Sequence, residues 1–376
     1  MRCKTVSAPQ SRTGSQGWGR RSLINVKYIY FSIRCAGINI LDKPSKRFDT
    51  VRVMENPKTL TDAIRYYEKP ENCIAIIKEM RWGCDEPICP YCGKKRHYWL
   101  AKQMRWKCAA CRKQFTAKTG TVFEDSPIGL DKWLIGIWLV ANCKNGISSY
   151  EIARHIGVTQ KSAWFMLHRI RYALANGSLE MFGGPERGPV EVDETFIGGK
   201  PKNMHAKQRL KMQNGIHANK KMTVMGMLDR ESRQVRAKVI PNAKREVLQR
   251  EILNAIEKGS TVYTDGWTGY DNLAEQDYVH ETVTHIQEYV RGQVHTQGIE
   301  NFWSLLKRGL NGTYVAVEPF HLHRYVDEQA FRYNNRTTKD NPLTDYDRFM
   351  LAVSQISGKR LTYAELTGKV GETACG

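Results

Sequence analysis

The chain has 376 residues, 58 Lys and Arg against 38 Asp and Glu, a net charge of +20 and an apolar fraction of 41%. That length accommodates two or three domains with a sizeable core. The charge calls for a polyanionic partner. No apolar run approaches the roughly 18 residues of a spanning helix, and aromatics interleave with the basic residues, so nucleic acid fits and membrane does not. Of the ten cysteines, four form two C-x-x-C pairs, which favours a reducing compartment and a metal site over a disulfide framework. No apolar stretch near the N-terminus reads as a secretory signal, so a cytoplasmic location is expected.

Residues 1 to 53 carry 11 Lys and Arg against 2 Asp and Glu, with one short apolar patch from Val26 to Ile33. This composition predicts a mobile basic arm. An Arg-rich transit peptide has the same look, and translation from Met54 would make the segment an upstream extension. Residues 54–120 divide into a helical lead-in and a zinc ribbon. In the lead-in, Ile64, Tyr67, Ile74, Ile77 and Met80 predict short helices around Pro70. The pairs Cys89–Cys92 and Cys108–Cys111 then stand 15 residues apart, the spacing of two knuckles that present four thiolates to tetrahedral zinc. Between them, K-K-R-H-Y-W and M-R-W-K predict two short strands whose basic and aromatic surface suits DNA, with a protein contact as the alternative. Cys84 lacks a partner at knuckle spacing.

A helix-turn-helix is expected within residues 125–176. Residues 129 to 142 predict a nearly all-apolar core helix; Ser148 or Ser149 then caps one helix, Gly157 and Val158 turn, and Thr159 caps another running to about Leu174. Ala153, Ile156, Val158, Ala163 and Met166 form the seam, leaving Thr159, Gln160, Lys161 and His168 for the major groove. An ordinary helical hairpin with a solvated polar face is the alternative. The glycine-rich residues 177–189 read as a linker.

From residue 190 to 350 the pattern changes. Strands are predicted over Val190 to Ile197, Met222 to Leu228 and Val235 to Ile240, followed by a helix over Lys244 to Lys258. A strand over Thr261 to Thr264 ends at Asp265, a helix follows through Leu273, and a weak strand over His280 to Thr284 precedes a helix near Glu300. That order is the order of an α/β ribonuclease-H-like domain. The insert from Gly199 to Lys221 holds Lys200, Lys202, Lys207, Arg209, Lys211, Lys220 and Lys221 and no acid, a composition for phosphates, against a merely solvated loop. Residues 351–376 read as a C-terminal tail.

The stretch P-V-E-V-D-E-T-F-I-G-G-K carries Asp193 and Glu194 into a glycine turn, and a carboxylate in such an apolar strand asks for a cation or a proton. Asp265 ends a second apolar run and Glu300 opens a helix; three carboxylates on separate elements suit a two-metal phosphoryl-transfer site. Lys307, seven residues after Glu300, shares its helix face and reaches toward a phosphate. Glu194 is expected to face away from Asp193 and pair with a lysine, with Glu191 an outside candidate for the metal. His295, Trp267 and Trp303 read as structural, and His321 and His323 as facing solvent or phosphate.

V-D-E-T-F-I-G-G-K, T-D-G-W-T-G-Y, H-T-Q-G-I-E-N-F-W-S-L-L-K-R-G and R-Y-V-D-E-Q-A-F-R-Y-N-N-R together resemble the bacterial insertion-sequence transposases of the DDE superfamily that carry an N-terminal zinc ribbon, the IS1595 family. The similarity covers roughly Leu60 to Phe349. It implies a ribonuclease-H-like DDE domain using two Mg²⁺ ions, or Mn²⁺ in their place, held by Asp193, Asp265 and Glu300. It also implies a structural Zn²⁺ on the four cysteines. The implied substrates are the terminal inverted repeats and target DNA, both double-stranded, bound by a homo-oligomer near the bacterial nucleoid. Lys307 stands where such families keep a basic residue. Asn301 is the alternative third ligand, and Gln297 stands where Asn is expected. Two competing readings remain: a DNA-binding regulator with a relic catalytic domain, and a structure-specific DNA nuclease.

Overall fold

A computed structural model describes residues 56–83, 86–175, 180–198, 210, 221–283, 294–339 and 341–369. The basic arm, Cys84, and Lys200, Lys202, Lys207, Arg209 and Lys211 of the insert lie outside the described residues.

The N-terminal module begins with α1 (Leu60–Tyr67), started by a Thr59–Asp62 capping box, and α2 (Pro70–Trp82), with proline in its first turn. Proline there leaves no helical hydrogen bond unmade. The knuckles flank a three-stranded antiparallel sheet of β1 (His97–Leu100), β2 (Arg105–Cys108) and β3 (Gln114–Phe115), one strand more than expected. Helix α3 (Leu130–Asn142) is buried from Trp133 to Ala141, as its all-round apolar sequence requires. Ser148 caps α4 (Ser149–Ile156), Gly157 ends it at φ +62, and Thr159 caps α5 (Gln160–Leu174). Ile156, Ala163 and Met166 close the α4–α5 seam.

The second body is a five-stranded mixed sheet in the order β6-β5-β4-β7-β8. β4 (Val190–Ile197), β5 (Met222–Asp229) and β6 (Val235–Ile240) run antiparallel; β7 (Thr261–Asp265) is parallel to β4, and β8 (Val279–Val283) to β7. Alternate residues of a strand face opposite sides. Val190, Val192, Met225 and Met227 therefore pack on α6 (Arg245–Ala255) with Leu248 and Ile252. Val224 and Leu228 pack on the other side against Ile299, Phe302 and Trp303 of α7 (Gln297–Arg308) and Tyr325 and Val326 of α8 (Leu322–Asn334).

Three expectations are corrected. The helix expected after Asp265 is instead a pair of 3₁₀ turns, Thr268–Tyr270 and Leu273–Gln276, interrupted by Asn272 at φ +69; a left-handed residue cannot continue a helix. The described end of the linker is packed: Phe182 is buried and exchanges backbone hydrogen bonds with Ala255 and Glu257. Nor are residues 351–369 a tail. Helix α9 (Asp345–Ser354) and the segment beyond it bury Phe349, Val353 and Ile356 in the core of the N-terminal module, the helix mostly against α3, and Leu361 and Leu366 are buried as well.

Candidate active site and zinc centre

Parallel pairing of β4 with β7 matches Val190 to Val262 and Glu191 to Tyr263 and goes no further. Two residues past that last pair, on each strand, stand Asp193 and Asp265. They are level with one another, on the face that carries α7, where the two strands part. Open α/β sheets gather their sites at such a parting of strand ends.

Asp193 is half-buried. Burial, and then the facing Asp265 carboxylate, push it up to about 7. Two donors oppose that rise: the Trp303 indole Nε1–H donates to Oδ2 at 2.9 Å, and the Glu194 backbone N–H to Oδ1 at 2.8 Å. Asp265 Oδ1 accepts the Trp267 backbone N–H at 3.2 Å. Asp265 faces Asp193 closely enough to disfavour its charged form, and a cation held by both carboxylates would remove that penalty. The donor set therefore fits a hard divalent cation.

Glu300 is exposed in the first turn of α7, one turn before Trp303, and its Oε1 accepts from Thr296 Oγ1 at 3.1 Å. Lys307 is exposed in the last turn of the same helix, and Asn301 is exposed beside Glu300. Oxygens of Asp193, Asp265 and Glu300 do not all fall within 4.8 Å of one another; the helix brings Glu300 to the rim, while the two aspartates form the floor.

Glu191 faces the same side and is occupied. Its Oε1 accepts from Arg230 Nε at 2.6 Å and its Oε2 from the Ile299 N–H at 2.9 Å, with 1% of the residue exposed. It is the anion at the N-terminus of α7, not a free metal ligand, and Gly298 lets the helix approach: a Cβ there would lie 2.8 Å from Glu191 Oε2. Arg230 also bonds His295 through Nδ1 and the carbonyl, both at 2.7 Å. Glu194 faces the opposite side, as expected, but its partner is the buried Tyr270 hydroxyl rather than a lysine. Trp267 is 49% exposed, with its ring edge over Gly269.

Cys89, Cys92, Cys108 and Cys111 bring four sulfurs within 4.8 Å of one another, with Cys89–Cys111 at 3.7 Å and Cys92–Cys108 at 3.5 Å. Thiolates about 2.3 Å from a tetrahedral zinc lie about 3.8 Å apart, so the cluster suits structural zinc. Tyr98 and Trp99 of β1 and Tyr91 of the first knuckle are exposed.

The residues expected to meet the major groove divide. Thr159 and Lys161 are exposed and Gln160 half-buried at the start of α5. Thr159 is engaged as the cap, Gln160 Nε2 donates to Ser149 Oγ at 2.9 Å, and Lys161 Nζ lies 5.2 Å from the Tyr363 ring centroid. His168 is not on the surface. It is fully buried, its ring 4.5 Å from Trp164 and 4.6 Å from His321, and burial drives it down to about 2. Position 168 lies two turns into α5, on the side that meets α8. His321 is buried with it, while His323 is exposed.

The ISXO2-like transposase domain matches residues 186–334, and a transposase zinc-ribbon domain matches residues 69–114. An uncharacterized protein in the transposable element ISH50 of Halobacterium salinarum is 28% identical over 250 residues, 63% of this chain and 81% of that protein. An uncharacterized transposase-like protein of Haemophilus influenzae is 30% identical over 101 residues, 27% of this chain and 81% of that protein. Among solved structures, a simian T-cell lymphotropic virus intasome in complex with PP2A regulatory subunit B56 gamma aligns at 16% identity over 48% of this chain and 63% of that one. The TM-score is 0.24.

Proposed function

Because the chain belongs to the IS1595 family of transposases, we propose that it binds the terminal inverted repeats of its element, hydrolyses the DNA at those ends and joins the freed 3′-hydroxyl to target DNA. The observation that carries this reading is the pairing of Asp193 and Asp265 at the parting ends of β4 and β7, with Asp193 raised to about 7 by burial and by its neighbour. We read the five-stranded sheet and its helices as ribonuclease-H-like, and α4–α5 as a helix-turn-helix.

In this reading Asp193, Asp265 and Glu300 would hold two Mg²⁺ ions, which would supply a lowered pKa at the attacking oxygen and charge neutralisation at the leaving one. The chain's own groups orient the strand. Lys307, two turns from Glu300 on α7, contacts a phosphate beside the reacting one. Thr159, Gln160 and Lys161 at the N-terminus of α5 meet the inverted repeat, assisted by the ribbon, and Lys200, Lys202, Lys207, Arg209 and Lys211 of the insert contact backbone phosphates. The protein acts as a homo-oligomer that holds both ends.

The alternative of a regulator with a relic catalytic domain is disfavoured, because two half-buried carboxylates placed so that one raises the other are a cost that DNA binding alone does not require. The test is cleavage of a duplex carrying the inverted repeat that flanks the gene, in Mg²⁺. Asp193→Asn and Asp265→Asn should each lower the rate at least about a hundredfold while end binding persists, as loss of positioned charge stabilisation does. Unchanged cleavage in both variants overturns the assignment. Cleavage without strand-transfer products would point instead to a nuclease.

A further inference from the structure

β5 reads Thr223-Val224-Met225-Gly226-Met227-Leu228, and glycine is out of place in it. A strand-interior glycine weakens the strand and marks close approach by another group. Here that group is α7. A Cβ at position 226 would lie 2.7 Å from Trp303 Cη2 and Cζ2 and 2.8 Å from Ile299 Cδ1, closer than carbon atoms pack. Gly226 is the register partner of Asp193 across β4–β5. The indole that fills the space above it is 4% exposed and donates its Nε1–H to Asp193 Oδ2 at 2.9 Å.

We propose that Gly226 and Trp303 form a positioning pair for Asp193. The missing side chain at 226 seats the indole against the sheet, and the indole N–H fixes which way the carboxylate faces. With one donor on each oxygen, from Trp303 and from the Glu194 backbone, a carboxylate retains a free lone pair on each, and both point along directions the two donors leave open. The same contact fixes the height of α7 above the sheet. Glu300 stands three residues before Trp303, so one contact sets both the orientation of Asp193 and the distance from it to the acid on the helix. Phe302 of the same helix packs edge-on against Tyr333 of α8, 5.3 Å between centroids, and that contact with a neighbouring helix holds α7 against rotation.

The proposal rests on the reading of Asp193 as a catalytic carboxylate, and its test separates the two. In the full chain labelled with ¹⁵N-tryptophan, the Trp303 indole N–H signal is identified by its loss in Trp303→Phe. It should move upfield in Asp193→Asn and in Gly226→Ala, as a hydrogen bond to a charged acceptor is weakened. Cleavage of the inverted-repeat duplex by Trp303→Phe and by Gly226→Ala should need about tenfold more Mg²⁺ for half-maximal rate, the order expected for one hydrogen bond to a charged group, while duplex binding stays unchanged. If Gly226→Ala does not fold, Trp303→Phe, which keeps an aromatic ring but loses the N–H donor and part of the indole's bulk, decides. An indole signal indifferent to Asp193→Asn, or cleavage by Trp303→Phe at unchanged Mg²⁺ demand, overturns the proposal. Full cleavage by Asp193→Asn, with the indole signal moved, overturns the catalytic reading and leaves the contact standing.

Discussion

At the scale of single residues, the acids along β4 divide by face and by what already occupies them. Glu191, Asp193 and Glu194 lie within four positions of one strand, yet only Asp193 faces the cleft with oxygens still available. Glu194 is turned to the α6 side and closed off by Tyr270, and Glu191 is consumed in tethering α7. A carboxylate that accepts from a helix N-terminal amide and from a guanidinium in a buried setting is strongly coupled to both. Glu191→Ala takes the acceptor from the Ile299 N–H and the carboxylate from Arg230. It should lower unfolding stability by about 3 kcal/mol, read by urea denaturation. A loss below about 1 kcal/mol would show that the tether matters little, against the usual range for buried charged partners.

At the scale of elements, α5 is joined to the catalytic side through buried charge. Arg171 of α5 meets Glu328 of α8 at 2.5 Å, and Arg332 and the Tyr314 hydroxyl close on the other carboxylate oxygen. Tyr314 ends the π-helical segment Gly309–Tyr314 that continues α7, so one carboxylate links the helix presenting Thr159 and Lys161 with the helix carrying Glu300. Burial alone would raise Glu328, but Arg332 and Arg171 hold it well below the usual carboxylate value of 4.5. A depressed pKa contributes stability that is complete above the unfolded value and is lost as pH falls toward the folded one. Glu328→Gln, which strands a buried Arg171, should therefore cost about 3 to 5 kcal/mol at pH 7, and the gap to the parent chain should narrow only below about pH 4.5. A gap that narrows between pH 7 and 5 in paired thermal melts would mean that another group carries the effect.

These links also show why part of the chain was readable and part was not. Cysteine spacing, the Ser148 and Thr159 caps and the alternation in Val190 to Ile197 are local signals, and the structure forms a thiol cluster, two capped helices and a strand at those positions. The Trp303–Asp193 bond spans 110 residues and Arg171–Glu328 spans 157, so neither leaves a periodic trace. The burial of His168 is likewise non-local. A polar residue late in α5 reads as solvent-facing until the helix that covers it is known. Gly226, a glycine inside an apolar strand, is a trace that a non-local contact does leave in the sequence.

At the scale of the whole molecule, the chain closes on itself. Phe349 of α9 packs on Tyr67 of α1 and Trp138 of α3 at 5.6 and 5.2 Å between centroids, and the Val122 N–H donates to the Ile356 carbonyl at 3.1 Å. Arg169 of α5 donates to the Leu361 carbonyl at 3.0 Å. The N-terminal module is thus completed by residues that follow the sheet, and the sheet body is inserted within it. Burying Phe349, Val353, Ile356, Leu361 and Leu366 at about 1.5 to 3 kcal/mol each amounts to as much as a typical domain's whole margin of about 5 to 15 kcal/mol. Removing residues 343–376 should therefore unfold the module that bears the ribbon, α4 and α5, while the sheet of residues 190–334 keeps its slow-exchanging amides. Hydrogen exchange would then show fast exchange across 60–174 and protection retained in β4, β5 and β7, with binding to the inverted-repeat duplex lost. A chain cut after residue 369 keeps every one of these contacts and should behave as the whole. If the shorter chain instead binds the duplex at full affinity and protects α3 as before, the C-terminal segment merely rests on a module that is stable without it.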